Sequence, residues 1–132
     1  MSFSILIVDD NLSLGNLYQI VFERNDWLVS KVTSGQDALD RIATDVPDVV
    51  LLDVMMPDMD GIEVCRRIRH QWPDAPPLIA VYTANNRPEV REMILAAGAD
   101  QFFSKNIPVF ELPAKIVAYL PPSEQPAGSA DL

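Results

Sequence analysis

The 132-residue sequence contains one cysteine, Cys65, and one histidine, His70. A lone cysteine excludes an internal disulfide, and the lack of paired Cys and His ligands disfavours a zinc site. Basic residues are also scarce, because 10 Lys and Arg face 19 Asp and Glu, for a formal net charge of -9. Since a phosphate backbone is bound through clustered Lys and Arg, this balance argues against a nucleic-acid-binding surface.

Long apolar runs are missing as well. No stretch approaches the roughly 20 apolar residues that span a bilayer, and the opening MSFSIL lacks the basic region of a secretory signal. We therefore expect a cytoplasmic domain that makes no membrane contact. The length suits one domain over residues 1–121, and the Pro-, Ser- and Gly-rich residues 122–132 suggest a flexible tail or a truncated linker.

Short β-favouring segments alternate with amphipathic stretches along the chain. The predicted strands are residues 3–8, 28–32, 48–52, 78–82 and 101–104, and the predicted helices are 12–25, 35–44, 60–71, 88–97 and 110–120. In the first helix, Leu14, Leu17 and Val21 recur at helical spacing. Five βα units with right-handed crossovers predict an α/β fold, a doubly wound five-stranded parallel sheet with five helices.

Polar side chains follow four of the five predicted strands. Asp9 and Asp10 follow the first strand, Asp53 the third, Thr83 the fourth and Lys105 the fifth. Any one of them alone is an ordinary polar strand end or helix cap. Together they lie at the edge where an open α/β sheet forms its binding crevice. Three carboxylates there need a compensating cation, for which Mg²⁺ is suited, while the lysine and threonine suit a phosphoryl group.

Four sequence segments resemble the receiver domains of two-component response regulators. They are VDDN after the first strand, LLDVMMPDMDG at 51–61, YTA at 82–84 and GADQFFSK at 98–105. The resemblance covers residues 4–120 and implies a flavodoxin-like, CheY-like sheet with strand order 2-1-3-4-5.

The resemblance implies that Asp53 is the phosphoacceptor. It would take a phosphoryl group from the phosphohistidine of a histidine kinase or a histidine phosphotransfer protein. Asp10, Asp53 and the backbone carbonyl of Met55 would ligate Mg²⁺, with Mn²⁺ as a substitute, and Asp9 would act through a metal-bound water. The two adjacent acids would thus form a cation seat.

The same resemblance implies a switch. Lys105 and Thr83 would each contact a phosphoryl oxygen, and movement of Thr83 would let the Phe102 ring turn inward. This would alter the face made by the fourth helix, fifth strand and fifth helix. Met55 and Asn85 would line the path of the water that later removes the phosphoryl group, although both are equally well read as ordinary loop residues.

Three residues depart from the family pattern. Phe102 replaces the commoner tyrosine and, lacking a hydroxyl, predicts a looser switch. Asn106 replaces the usual proline after the lysine, so we predict a trans peptide bond there. Pro113 predicts that the last helix begins late, near Val109 or Phe110.

Two other functions stay open at this point. The domain could be a degenerate receiver used only for docking, or an aspartate-dependent phosphatase, although the latter's first-strand D-x-D is missing from VDDNL. Expected partners are the phosphohistidine donor and a downstream effector or linked output domain, with a possible phosphorylation-dependent dimer through Asp100 and Lys115. His70 is expected to face solvent at a helix end, and Cys65 to be inert.

Overall fold

Five short apolar segments form the strands of one parallel sheet. The computed structural model describes residues 2–55 and 60–120. The strands are β1 (Ser4–Val8), β2 (Leu28–Val32), β3 (Val49–Leu52), β4 (Leu78–Thr83) and β5 (Gln101–Ser104). Their order is β2-β1-β3-β4-β5, and each neighbouring pair is parallel. The predicted sheet and strand order are confirmed, with single-residue differences at one end of β1, β3 and β4.

The helices begin where the sequence supplies capping residues. They are α1 (Leu12–Glu23), α2 (Gly35–Thr44), α3 (Gly61–Gln71), α4 (Pro88–Ala96) and α5 (Leu112–Val117), with a 3₁₀ turn at Val109–Glu111. The side chains of Asn11, Ser34 and Asp60 accept the free N–H groups that open α1, α2 and α3. Among the described residues, none of the helices has the length and apolarity to cross a membrane.

The helices cover both faces of the sheet, and this explains the continuous apolar strands. Ile5 and Ile7 of β1 face the core layer that α1 and α5 close, whereas Leu6 and Val8 face the layer that α2, α3 and α4 close. Because neither face of the central strands meets water, their sequences do not alternate with polar residues.

The series Leu14, Leu17 and Val21 does not form the fully buried face of α1, although Leu14 packs against the core. The buried positions are Gly15, Tyr18 and Phe22, whereas Leu17 is 47% exposed. Aromatic side chains at positions 18 and 22 contribute more buried area than leucine, so they take the side against the sheet. The helix also ends at Glu23, two residues earlier than predicted.

The segment after β5 follows the predictions made from its unusual residues, except for the two ends of the last helix. The bond between Lys105 and Asn106 is trans, as predicted. The 3₁₀ turn begins at Val109, but the α-helix starts only at Leu112, which places Pro113 in its first turn. α5 ends at Val117 rather than at residue 120.

One arginine ties the amino-terminal edge of the sheet to α3. The Arg69 guanidinium donates to the backbone carbonyls of Gly98, Trp72 and Pro77 and pairs with Asp100 at 2.7 Å. Gly98 has φ +117°, and a Cβ there would lie 2.7 Å from Arg69, so the glycine that follows α4 is required both by its backbone and by its neighbour.

Candidate functional site

The register of the sheet brings two acidic residues together at its carboxyl edge. Val8 is paired with Leu52, so the next residues, Asp9 and Asp53, leave adjacent strands side by side. The Asp53 N–H donates to the Val8 carbonyl at 3.1 Å, which continues the ladder into the site. Parallel strands therefore bring together two carboxylates that lie 44 positions apart in the sequence.

Lys105 joins the two carboxylates. Its Nζ lies 3.1 Å from Asp53 Oδ2 and 3.7 Å from Asp9 Oδ2. The backbone N–H of Lys105 donates to the Thr83 carbonyl at 2.9 Å, so the lysine is held directly beside the end of β4. The side chains of Asp9 and Asp53 are only 3% and 11% exposed, which makes this a sheltered ionic cluster.

Burial and charge oppose each other in this cluster. Burial disfavours the ammonium form of Lys105, but the carboxylates of Asp53 and Asp9 outweigh it, and the pKa of Lys105 is raised. Burial raises the pKa of Asp9, and the neighbouring charges of Asp53 and Asp10 act in the same direction. The lysine is thus firmly cationic, while ionised Asp9 lacks full compensation.

Asp9 has an unsatisfied acceptor that fits a cation. Its Oδ1 accepts the Asn11 N–H at 2.9 Å, whereas its buried Oδ2 has no hydrogen-bond partner. An all-oxygen set suits Mg²⁺, which keeps several waters and needs only one or two carboxylates. Within residues 2–55 and 60–120, no three acidic, His or Cys side chains are arranged to hold a metal. Asp10, the residue after Asp9, is exposed to solvent.

The side chains of Thr83 and Asp53 each accept a hydrogen bond from the backbone N–H two residues later, which forms a local turn. Thr83 is fully buried, and its Oγ1 accepts the Asn85 N–H at 3.3 Å. In the same way Asp53 Oδ1 accepts the Met55 N–H at 3.0 Å, and the Met55 side chain is exposed. Both loops therefore start with a side-chain-to-backbone turn that fixes the strand-end residue.

Gly61 lets α3 approach the loop that follows Asp53. A Cβ at Gly61 would lie 2.2 Å from the Val54 Cα, which no side chain can occupy. The Gly61 N–H donates to the Val54 carbonyl at 3.3 Å across this contact. The glycine that ends the LLDVMMPDMDG segment is thus needed for close packing, while residues 56–59 of that segment lie outside the described residues.

Phe102 of β5 lies beside α4. Its ring is half-buried against the α2–α3–α4 core layer, and the Arg91 guanidinium carbon lies 5.8 Å from its centroid. The following residue, Phe103, points into the opposite layer and is buried. The two aromatic residues of β5 therefore divide between the faces of the sheet, and Phe102 is the more exposed of the two.

The fold and this cluster define a doubly wound α/β domain whose acidic crevice suits a cation and a phosphoryl group. Residues 5–117 match the family model of the response regulator receiver domain, and the chain belongs to that family. Receiver domains accept a phosphoryl group in two-component signalling and generally depend on Mg²⁺, and the phosphoryl-accepting role of this chain follows from its family.

Relatives and solved structures agree with this assignment. The chain is 41% identical over 120 residues to response regulator MprA of Mycolicibacterium vanbaalenii, covering 91% of this chain and 51% of MprA. It is 36% identical to the alkaline phosphatase synthesis transcriptional regulatory protein PhoP of Bacillus subtilis, covering 100% of this chain and 54% of PhoP. The chain thus spans about half the length of these relatives.

Two solved structures illustrate the structural likeness. The BeF₃-activated receiver domain of Klebsiella pneumoniae RstA has a TM-score of 0.81 at 30% identity, covering 88% of this chain and 97% of that one. Chemotaxis protein CheY4 of Vibrio cholerae has a TM-score of 0.84 at 25% identity, covering 91% of this chain and 100% of that one.

Sequence reasoning predicted the three charged residues that meet in this cluster, Asp9, Asp53 and Lys105, but it singled out neither of two nearby tyrosines. Tyr18 and Tyr82 lie beside Lys105, with ring centroids 5.9 and 5.7 Å from its Nζ. The available signal was weak, because Tyr82 precedes Thr83 within an apolar strand and reads as core. His70 is exposed on the last turn of α3 and Cys65 is buried, as expected for residues outside the site.

Proposed function

We propose that Asp53 accepts the phosphoryl group in a Mg²⁺-dependent reaction. The observation that carries this proposal is the ion pair between Asp53 Oδ2 and Lys105 Nζ at 3.1 Å, beside the unsatisfied Asp9 Oδ2. A carboxylate held next to a cation at the carboxyl edge of the sheet has the position and the local charge that phosphoryl transfer needs.

In the proposed step, an Asp53 carboxylate oxygen attacks the phosphorus of a phosphohistidine. The new O–P bond gives an acyl phosphate, the P–N bond breaks, and the histidine nitrogen keeps the electron pair and takes a proton. Lys105 then pairs with a phosphoryl oxygen, and the Thr83 hydroxyl donates a hydrogen bond to another. Hydrolysis reverses the modification, with Met55 and Asn85 beside the path of the attacking water.

Asp9, Asp10, Asp53 and the Met55 carbonyl are the residues that would hold Mg²⁺ or its substitute Mn²⁺. The bound ion supplies neutralisation of the phosphoryl charge. The protein assists its own phosphorylation and dephosphorylation but, in this proposal, turns over no separate substrate. We place this activity in the cytoplasm, with a histidine kinase or histidine phosphotransfer protein as donor.

The output is proposed to use the face formed by α4, β5 and α5. Thr83 engagement by the phosphoryl group would change the space beside Phe102 and so shift the population of its rotamers. A Phe102 rotamer that is the same in free and beryllofluoride-bound crystals would contradict this switch.

The partner at that face is a downstream effector, a linked output domain or a second copy. A phosphorylation-dependent dimer would use exposed Lys115, while the Asp100 carboxylate is already engaged by Arg69 and by the Ile79 N–H. Residues 1–121 are proposed to form the receiver, and 122–132, which lie outside the described residues, a tail or linker.

Intact-mass measurement after incubation with acetyl phosphate and Mg²⁺ tests the acceptor. Wild type should gain the mass of one phosphoryl group, and Asp53→Asn should gain none. The exposed, distant Asp45→Asn is the matched control and should label like wild type. Chelation of the metal should abolish labelling in both competent proteins.

The same experiment separates the two rival functions. No labelling of wild type would favour a degenerate receiver that only docks. Turnover of a small phosphate ester by Asp53→Asn would instead favour a phosphatase whose nucleophile lies elsewhere.

A further inference from the structure

Two buried tyrosines form an aromatic wall beside Lys105. Tyr18 of α1 and Tyr82 of β4 are 4% and 5% exposed, and their rings meet edge to face with centroids 5.6 Å apart. The Lys105 Nζ lies 5.9 Å from one centroid and 5.7 Å from the other. The ammonium group therefore has aromatic rings around it in addition to the two carboxylates that it joins.

The Tyr82 hydroxyl also fixes the turn that follows the lysine. It donates to the Ile107 carbonyl at 2.6 Å. The same turn is closed by the Ile107 N–H, which donates to the Ser104 carbonyl at 2.9 Å, and by the Asn106 N–H, which donates to Ser104 Oγ at 3.1 Å. With Asn106 where the family resemblance leads one to expect proline, these three hydrogen bonds define the backbone after Lys105.

A lysine side chain needs additional contacts to hold its ammonium group in one position. Its ammonium is a point charge on a flexible four-carbon stem with many rotamers, so ionic attraction alone leaves its position loosely defined. Aromatic faces attract a cation, and this attraction strengthens when water is excluded, as it is beside these buried rings. Burial raises the pKa of Tyr18 despite the nearby lysine, so its phenol stays neutral and adds no competing negative charge.

We propose that Tyr18 and Tyr82 are positioning residues for Lys105, Tyr82 through its hydrogen bond to Ile107 and both through their rings around the ammonium. The proposal rests on the proposed function of Asp53, because it assigns to the tyrosines the alignment of the lysine with the acceptor carboxylate. Neither tyrosine touches the reacting atoms. The competing explanation is that both rings only fill the core layer between the sheet and α1.

Replacement of each ring and each hydroxyl separates positioning from packing. Tyr18→Leu removes one aromatic ring, and Tyr18→Phe restores it without the hydroxyl. Tyr82→Phe keeps the ring but removes the hydrogen bond to Ile107. The matched control is Phe22→Leu, which alters a fully buried ring of the same core layer that packs on Trp27, away from the lysine.

The first measurement is the initial rate of labelling by acetyl phosphate at saturating Mg²⁺, corrected for the folded fraction. Tyr18→Leu and Tyr82→Phe should each be roughly three- to tenfold slower than wild type. Tyr18→Phe should recover most of the rate lost in Tyr18→Leu, and Phe22→Leu should label within about twofold of wild type.

The second measurement is NMR of the metal-free protein, which does not depend on phosphorylation. The ε-methylene protons of Lys105 should be shifted upfield by the neighbouring rings, and this shift should fall in Tyr18→Leu but not in Phe22→Leu. The Ile107 amide should exchange faster in Tyr82→Phe, because its turn has lost one of three hydrogen bonds.

These outcomes decide the proposal separately from the function of Asp53. Equal slowing in Tyr18→Leu and Phe22→Leu, or unchanged Lys105 resonances in Tyr18→Leu, would leave the tyrosines as packing residues only and overturn the proposal. If wild type takes up no phosphoryl group, the proposed function fails, and the NMR measurements still decide whether the tyrosines place the lysine.

Discussion

At the scale of single residues, the site depends on how buried charges are compensated. Lys105 serves both Asp53 and Asp9, yet Asp9 Oδ2 keeps no hydrogen-bond partner. An unpaired buried carboxylate oxygen is costly to the fold, and a divalent ion would remove that cost. Asp9, which follows the first strand directly before a second acidic residue, thus lacks a partner that a bound cation would supply.

Lys105→Met should destabilise the metal-free protein by about 1–3 kcal/mol, because two sheltered carboxylates lose the partly exposed cation that they share. The deficit should shrink when Mg²⁺ is added, since the metal then offsets the same charges. Urea unfolding with and without Mg²⁺ measures both effects. Lys115→Met removes an exposed lysine and serves as the control, with a change within about 0.5 kcal/mol. A deficit that Mg²⁺ leaves unaltered would contradict a shared cation site.

Cys65 should be inert in the folded protein. Burial raises the pKa of its thiol to about 11, and the side chain is fully enclosed between α3 and the sheet. The reactive thiolate is therefore scarce at about pH 8, and its reaction with a thiol reagent should accelerate as the pH approaches the raised pKa. The native protein should react far more slowly than the urea-unfolded one, and equal rates would show that the thiol is accessible.

At the scale of elements, glycines at different positions have opposite effects. Gly15 lies inside α1, where an added Cβ would find only Lys31 Cδ at 3.7 Å, an ordinary contact. Gly98 lies after α4 with φ +117° and Arg69 at 2.7 Å from an added Cβ. The same substitution is therefore tolerated in one place and excluded in the other.

Gly15→Ala should stabilise the protein by roughly 0.5–1 kcal/mol through helix propensity, whereas Gly98→Ala should destabilise it by about 1–3 kcal/mol. Thermal or urea unfolding of the two variants under one set of conditions measures both. Destabilisation by Gly15→Ala would mean that the first half of α1 has no room for a methyl group.

Element types and most boundaries were predictable from local signals. α2 begins and ends as predicted because Ser34 caps it and its apolar residues are regularly spaced. The orientation of α1 was not predictable from apolar spacing, because Leu14, Leu17 and Val21 form as regular a series as the buried Gly15, Tyr18 and Phe22. Only the sheet beneath the helix selects between the two series.

At the scale of the whole molecule, the site is built where four of the five βα units meet. Its residues come from the carboxyl ends of β1, β3, β4 and β5 and from the loops that follow them, so ligand binding should stabilise the entire domain rather than one element. A ligand that binds only the folded state adds stability in proportion to the logarithm of its concentration.

Mg²⁺ with beryllofluoride, a phosphoryl mimic, should raise the Tm of wild type in a concentration-dependent way. At a ligand concentration one hundred times Kd, the free energy of unfolding should increase by about 2.7 kcal/mol. Asp53→Asn should show little of this increase, and Asp45→Asn should show all of it. Differential scanning calorimetry measures the shift. An equal increase in Asp53→Asn would mean that the mimic binds elsewhere.

The order of the elements and the charged residues at the strand ends could be read from the amino-acid sequence, because apolar periodicity and strand-end chemistry are local properties. The strand order of the sheet followed from the family resemblance. Tertiary structure alone decided which side chains meet. The convergence of Asp9, Asp53 and Lys105, the aromatic wall of Tyr18 and Tyr82, and the contact of Gly61 with Val54 each join residues from different elements. Their distances depend on strand register and helix rotation, which packing fixes only when the whole sheet is covered.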